Sequence, residues 1–545
     1  TFGGIFSALC LFITAPLLAK FALNFGAPEN FALAVFGLSI VTSISSDNLI
    51  KGLLSMMMGL MISNVGMDIL TAESRFTFGW TYLLGGLAYI VILIALYAFS
   101  QGLINVEGYQ PGKVLNRQSA KLTRVLPTWK DIKCCISTIL ASSVIGTLIG
   151  AIPGTGGDIA CWTAYSQVKK VSKNGKDFGK GCLQGVAAPE AANNAVSGGA
   201  LIPLLTLGIP GSAVAAVILG ALMAHGIQPG FKIFTASGDL AYTFIMSQFA
   251  VNLLMIPVGF VLCQCMARLL SIRLTLVAIG IVVLAFIGAY AISNSLVDIW
   301  VVLAFGLVGF FGGKVGMDTG AMALGVILGP MIEENLGKSV DLSRSVDGGL
   351  MSVMFEGSIN KVLIAALLLS LLTPFLLKLR NRKHAALLPE GPRPGWKTDL
   401  FAGIGFLAIA AAFLVQYEGL EGVSRVFPEV LTKLIGAGGA YFVGKGLWRR
   451  SREAAEPEGG EAVAWCKIGI ICATSLCYAV LIPVFGFLVT TMGFIAGTTL
   501  ILGDHRRGLP RLARTAIAFA IGFSLLVWAG FTLLLNVPVP EGMFL

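Results

Sequence analysis

The chain has 545 residues, 56% of them hydrophobic and only 12% charged, with a mean hydropathy of +0.85. Soluble domains carry about 25% charge, so this composition excludes an ordinary soluble fold and predicts an all-α polytopic membrane protein. The net charge of +10 does not indicate nucleic acid. The positive residues sit in short loops between apolar runs, the pattern of cytoplasmic loops in membrane proteins.

The chain opens on "TFGGIFSALC", already apolar, without an initiator Met or a charged leader. It is expected to begin part-way through a longer protein. Apolar runs recur at 82–98, 249–262, 274–291, 301–311, 362–377 and 516–535. Helices need about 20 such residues to cross a ~30 Å hydrocarbon layer. Basic loops at 113–133 and 169–180 flank residues 134–168. That stretch is therefore expected to enter and leave on one face, as a re-entrant hairpin turning at "PGTGG". With Arg268 and Arg273 inside, residues 181–239 are expected to cross a net odd number of times, and the apolar stretch 198–226 is interrupted at "GIPGS". A repeat is visible: "VGMD" occurs at 65–68 and 315–318, and Ser43, Ser45 and Gly59 match Ser293, Ser295 and Gly309 at the same offset. The loop charges give the two copies opposite orientations, the signature of an inverted-repeat transporter with broken helices.

A hydrophilic segment, "KLRNRKHAALLPEGPRPGWK", separates two blocks. The boundaries are 1–378 for the larger membrane domain, 379–398 for a basic cytoplasmic linker and 399–545 for a C-terminal block. Five spans at about 399–416, 429–446, 464–482, 485–502 and 513–535 put all its basic segments on one side. The C-terminal tail then lies outside. The ten cysteines lack metal-ligand spacing and are taken as small buried hydrophobes.

Two stretches carry candidate chemistry. In "IPGTGGD", Pro153 breaks the helix, and Gly154, Thr155 and Gly156 let a ligand approach the backbone. The segment after them starts with free N–H groups and a positive dipole end, a ready anion site. In "LGIPGSAV", Ile209, Pro210, Gly211 and Ser212 repeat this grammar, with Ser212 placed to cap the next half-helix. Two such breaks in one block point to a midplane binding site. Between them Asn193, Asn194 and Ser197 offer neutral oxygens and amides that suit a sodium ion or a substrate carboxylate. Alternative roles as turns, kinks or helix packing remain open for each. Ionisable groups in or near the membrane are few: Asp158, Asp298, Lys314, Glu333, Glu334, Glu356 and Lys361. Most lie near predicted span ends, and Asp158 at the tip is the exception. Asp158, Ser197, Ser45 and Ser295 are the coupling-ion candidates. There is no phosphate-binding loop, nucleophile elbow or Ser/His/Asp constellation. No enzyme activity, catalytic residue, metal site or cofactor is expected.

"GAIPGTGGDIACWTAY", the long motif at 179–230 and "RFTFG" at 75–79 closely resemble the large membrane subunit of the tripartite tricarboxylate transporter family. This resemblance covers about residues 1–378. The C-terminal block is similar to the family's small membrane subunit. The resemblance implies a fused, secondary-active importer of a small organic carboxylate in a bacterial inner membrane. It also implies sodium or proton coupling, alternating access with the hairpin-bearing part moving against a scaffold, and a periplasmic solute-binding protein as partner. The family's large subunit has two related halves. The copies here, Pro153-Gly154-Thr155-Gly156 and Ile209-Pro210-Gly211-Ser212, belong to the second, and the first half's copies are expected upstream. Alternatives are a secondary transporter that works without a binding protein, a membrane-embedded enzyme and a channel. Homo-oligomerisation, substrate and ion stoichiometry stay open.

Overall fold

The computed structural model describes residues 1–22, 25–45, 49–68, 71–108, 127–152, 156–172, 174–227, 229–230, 233–269, 274–345, 349–380, 396–416, 423–452, 465–503 and 509–543. Among them, ten helices are long and apolar enough to cross a membrane. Helices are what lipid permits, because every backbone polar group must be satisfied within the segment. The only strands among the described residues are β1 (Gly66–Met67) and β2 (Ser74–Arg75), a short antiparallel hairpin.

One helical body comprises α1 (Phe2–Ala22), α6 (Trp129–Gly150), α7 (Gly156–Val171), α8 (Leu183–Leu207), α9 (Ala213–Ala224), α10 (Ile233–Ala236) and α11 (Gly238–Leu269). Small residues bring α6 onto α8: a Cβ at Gly146 would lie 2.2 Å from the Ala192 carbonyl oxygen, and one at Gly150 2.7 Å from that of Val196. Close backbone approach of this kind drives helix association where lipid offers no hydrophobic gain. The pairings rise together along both chains, so α6 runs parallel to α8. On α7, Gly157 meets Asn193 and Cys161 bonds the Pro189 carbonyl, so α7 runs antiparallel to α8. Helices α6 and α7 are thus the two legs of a hairpin laid on α8. The hairpin follows from a capping box at Thr128–Asp131, which starts α6, and from the break after Ala151.

The second body contains α2 (Ala27–Ser45), α3 (Leu49–Ser63), α4 (Tyr89–Leu93), α5 (Ser100–Glu107), α12 (Leu274–Ser293), α13 (Val297–Lys314), α14 (Thr319–Ser343), α15 (Gly349–Glu356) and α16 (Ser358–Arg380). A π-helical turn, Ile94–Phe99, joins α4 to α5. The matched glycines of the two sequence copies exchange partners. Gly59 of α3 packs on Met322 and Gly325 of α14, which follows the second copy. Gly309 of α13 packs on Leu96 and Ser100, which follow the first.

The C-terminal block adds α17 (Trp396–Leu414), α18 (Val423–Arg452), α19 (Trp465–Leu502) and α20 (Leu509–Ala529). Helix α19 is interrupted at Gly486, whose φ of 73° and ψ of 165° leave the helical region. Tyr478 stacks on Phe494 at 4.6 Å and its hydroxyl bonds Thr491 at 2.8 Å. Contacts across 13 residues or more require the chain to reverse there, giving five membrane helices in this block. Gly486 leaves room for the C-terminal tail, where Phe487 N–H donates to the Pro540 carbonyl at 2.9 Å. A stack of Phe99, Phe286, Tyr478 and Phe494 continues one apolar core from the second body into the C-terminal block.

Candidate functional site

The hairpin tip and the second break meet. A Cβ on Gly211 would lie 2.4 Å from the Gly150 carbonyl oxygen and 2.7 Å from the Ala200 Cα, so only glycine permits this approach. Helix α8 ends at Gly208 in the left-handed conformation (φ 74°), whose N–H returns to the Leu204 carbonyl at 3.0 Å. Ile209, Pro210 and Gly211 are buried, and the Ser212 hydroxyl accepts from the Ala215 N–H at 3.1 Å, capping α9. Gly156 starts α7 at φ 64° with open space around it. Next to it, Gly157 lies against the Asn193 side chain, 2.2 Å from a built Cβ to Oδ1. The start of α7 thus lies against the exposed Asn193, and the break that precedes α9 lies two turns further along α8, against Ala200; each helix start presents N–H groups with partial positive charge.

Pro153, Gly154 and Thr155 lie outside the described residues. Asp158 occupies the first turn of α7 and Ser45 the last of α2, and nothing is described of either side chain. Asn194 does not face the tip. It turns towards Gly4 of α1 and Asn252 of α11. Ser197 is exposed and its hydroxyl donates to the Asn194 carbonyl at 2.7 Å. Ser295 is set apart from both breaks. Its hydroxyl accepts from the Val297 N–H at 3.2 Å at the start of α13, beside buried Asp298, which accepts from the Tyr82 hydroxyl at 2.5 Å. Burial first, then this bond, raises the Tyr82 hydroxyl above its ordinary pKa and keeps it a donor.

A cavity of about 820 Å³ separates the two bodies. Thr206, Gly208, Leu219 and Met223 form one wall, and Asn30, Arg75, Tyr89, Glu333, Asn335 and Lys338 the other. Its volume is that of a small-molecule site. Helix α8 starts after the basic loop at 169–180 and ends at the cavity, which thus lies at the opposite end from that loop. Gly208 is where the cavity touches the second break.

Two buried ionic clusters meet the C-terminal block, one through an ion pair that crosses to the second body and the other through hydrogen bonds with Ser424. At the basic end, Asp399 of α17, fully buried, meets Lys51 of α3 at 3.1 Å, Lys445 at 3.2 Å and Arg449 at 3.0 Å. Lys51 also donates to the Val315 carbonyl at 2.7 Å. At the cavity end, Arg75 holds Glu333 with both terminal nitrogens, lies 3.2 Å from Asp68 and reaches the Ser424 carbonyl at the start of α18. The sequence reading missed the Asp399 and Arg75 clusters as sites. A lysine in an apolar segment, and an arginine in the motif "RFTFG", were the available signals. Of the other charges, Lys314 pairs with Glu107 and Glu334 with Lys338, each at 2.5 Å, and Lys361 is exposed. The Glu356 side chain is not described. Among the described residues no cluster of His, Cys, Asp and Glu has the makings of a metal site.

Comparison with known proteins agrees with this architecture. The chain is similar to an uncharacterized 52.8 kDa protein of the TAR-I ttuC′ 3′ region of Agrobacterium vitis, with 33% identity over 392 residues, 71% of this chain and 76% of that protein. A second protein of that organism, from the TAR-II ttuC′ 3′ region, is 38% identical over 199 residues, 36% of this chain and 82% of its own length. No solved structure matches. Residues 1–324 match the Tripartite tricarboxylate transporter TctA family and residues 400–540 the Tripartite tricarboxylate transporter TctB family. The chain is a multi-pass membrane component of the tripartite tricarboxylate transporter family, with its large and small membrane subunits joined in one polypeptide.

Proposed function

We propose that the chain imports a small organic carboxylate, driven by entry of sodium or protons, after a periplasmic solute-binding protein delivers it. The observation that carries this reading is the convergence of the hairpin tip and the second break, Gly211 on Gly150 and Gly157 on Asn193, in a body facing another across a cavity. Helix starts and an uncharged amide hold a carboxylate without a permanent counter-charge, so release on the other side stays affordable. In this reading Pro153, Gly154, Thr155 and Gly156 line the tip, with Asn193, Ile209, Pro210, Gly211 and Ser212 opposite. Asp158 and Ser197 remain candidates for the coupling ion.

The basic loops and the linker face the cytoplasm of a bacterial inner-membrane protein. The cavity, the Arg75 cluster and the C-terminal tail then face the periplasm, where the binding protein docks. Alternating access moves the hairpin-bearing body against the second body. The test is uptake of labelled carboxylates into proteoliposomes holding the full chain, with and without the cognate binding protein and with imposed sodium or proton gradients. Uptake that needs both protein and gradient is expected. Gradient-driven uptake without the binding protein would leave a self-sufficient transporter, and flux indifferent to every gradient would sink the reading.

A further inference from the structure

At the basic end of the C-terminal block, cations are crowded together and pinned. The two oxygens of the buried Asp399 divide three of them. Oδ1 meets Lys51 at 3.1 Å, whereas Oδ2 meets both Lys445, at 3.2 Å, and Arg449, at 3.0 Å. Sharing one oxygen keeps the Lys445 and Arg449 nitrogens no further apart than those two contacts laid end to end. Lys51 and Lys445 also lie 5.3 Å each from the centre of the Phe442 ring. These two lysines alone outnumber the carboxylate they share, and like charges this close repel. Beside them, Arg450 and Lys397 stand 5.3 Å and 5.6 Å from the Trp396 ring. The general excess of Lys and Arg in cytoplasmic loops accounts for their number but not for their being pinned. The outer edge of the group is open: Lys445 and Arg449 are each 22% exposed, and Lys397 and Arg450 are exposed.

An anion whose charge is spread over several oxygens bridges such a group, and phosphate is the one that Arg and Lys together recognise. The surface leading away from the cations indicates what carries the phosphate. On α17, Lys397, Phe401 and Ile404 fall on one face at helical spacing, and Phe401 and Ile404 are 65% and 51% exposed. On α18, Leu447, one turn before Arg450, is 50% exposed. A cationic end continued by an apolar stripe along a membrane span fits an amphiphile with its head at the membrane surface. We propose that Lys397, Lys445, Arg449 and Arg450, set around Trp396 and Asp399, bind the phosphate headgroup of an anionic phospholipid from the cytoplasmic leaflet. Its acyl chains lie along α17 and α18. The headgroup offsets the repulsion between Lys445 and Lys51, and so tightens the ion pair that joins α17 to α3. From the import reading this site takes only the orientation of the basic end, and it is independent of what the chain carries.

The test is thermal unfolding of the delipidated full chain in a neutral detergent. It is titrated with phosphatidylglycerol, with phosphatidylcholine of the same acyl chains, and with inorganic phosphate. Phosphatidylglycerol is expected to raise the melting temperature, and the other two to leave it unchanged. The double variant Lys397→Gln with Arg450→Gln should raise the half-saturating phosphatidylglycerol concentration about tenfold. Should that variant fail to fold, Arg450→Gln alone, at an exposed position, carries the same expectation in smaller measure. Arg511→Gln with Arg514→Gln, exposed cations at the start of α20, should change nothing. An equal loss in that control would reduce the site to a diffuse basic rim. An equal shift with inorganic phosphate would make the ligand a free anion. No shift with phosphatidylglycerol would leave the cations to an occupant within the chain, such as the glutamates of 453–461. Each of these three results overturns the site.

Discussion

Replacing Asp399 by Asn should destabilise the protein by about 3 kcal/mol, because it strands a buried cation. Asp399 is fully buried and pairs with three cations, of which Lys445 and Arg449 are 22% exposed and can turn to water. Lys51, at 2% side-chain exposure, cannot. A charge pair at the Lys51–Asp399 distance of 3.1 Å is worth about 5 kcal/mol at an effective dielectric of about 20. Lys51 keeps the Val315 carbonyl at 2.7 Å and the Phe442 ring 5.3 Å away, and an Asn oxygen still accepts. Those contacts offset part of the loss, which puts it at the lower end of the about 3–5 kcal/mol typical of a broken buried pair.

The assay is equilibrium unfolding of the full chain in mixed micelles, followed by circular dichroism. The double variant Lys51→Met with Asp399→Asn should recover most of the loss, since it removes the stranded charge. A loss below about 1 kcal/mol for the single variant, or a double variant no more stable than the single, would show that water reaches the cluster. The account of how the two blocks are fastened would then fail.

At the site, Gly211→Ala should cut uptake at least tenfold while membrane insertion persists, because its Cβ would lie 2.4 Å from the Gly150 carbonyl. Transport at the wild-type rate would show that the two breaks need not touch. Gly156 has open space but a φ of 64°. Gly156→Asn should therefore be tolerated, and Gly156→Val should cost about 1–2 kcal/mol; equal behaviour would remove the backbone constraint. For topology, single cysteines in a cysteine-free background at Lys170 and Ala72, both exposed, should be labelled from opposite faces of the membrane. Labelling from one face would dissolve the assignment of the cavity to the end away from the basic loops.

Much of this fold was legible because lipid imposes one-dimensional rules. Apolar length marks the spans, and a Pro-Gly pair inside one marks a break that protein or water must line. The loop charges alone turned residues 134–168 into a hairpin, and the opposite directions of α6 and α7 along α8 have that form. Contacts set by helical phase were not legible. Asn193 and Asn194 are neighbours in sequence but about 100° apart on α8, and only the positions of α7, α1 and α11 decide which one meets the tip. Ser295 was grouped with the site through the repeat, yet locally its hydroxyl accepts from the Val297 N–H in the turn that leads into α13, a bond any serine before a helix can make. Lys51 and Asp399 are 348 residues apart in sequence, and no local pattern announces such a pairing.

The placement of charge also divides the molecule mechanically. Both ionic clusters fasten the C-terminal block to α3, α14 and the β1–β2 hairpin, one at each end of the bundle. Separating Lys51 from Asp399 would strand charge in a buried place, and parting Ser424 from Arg75 and Glu73 would break two further hydrogen bonds, so this junction resists sliding. No helix of α17–α20 shares a packed face with α1, α6, α7, α8 or α11 among the described residues. The body that carries the two breaks instead meets the rest through apolar and small residues: Ile209 enters the large core, and Gly220 of α9 receives the Tyr89 ring at the cavity wall. Such contacts hold no charge that motion would strand. Relative motion, if import proceeds by alternating access, therefore belongs at the cavity, and the fused small subunit belongs to the part that stays still.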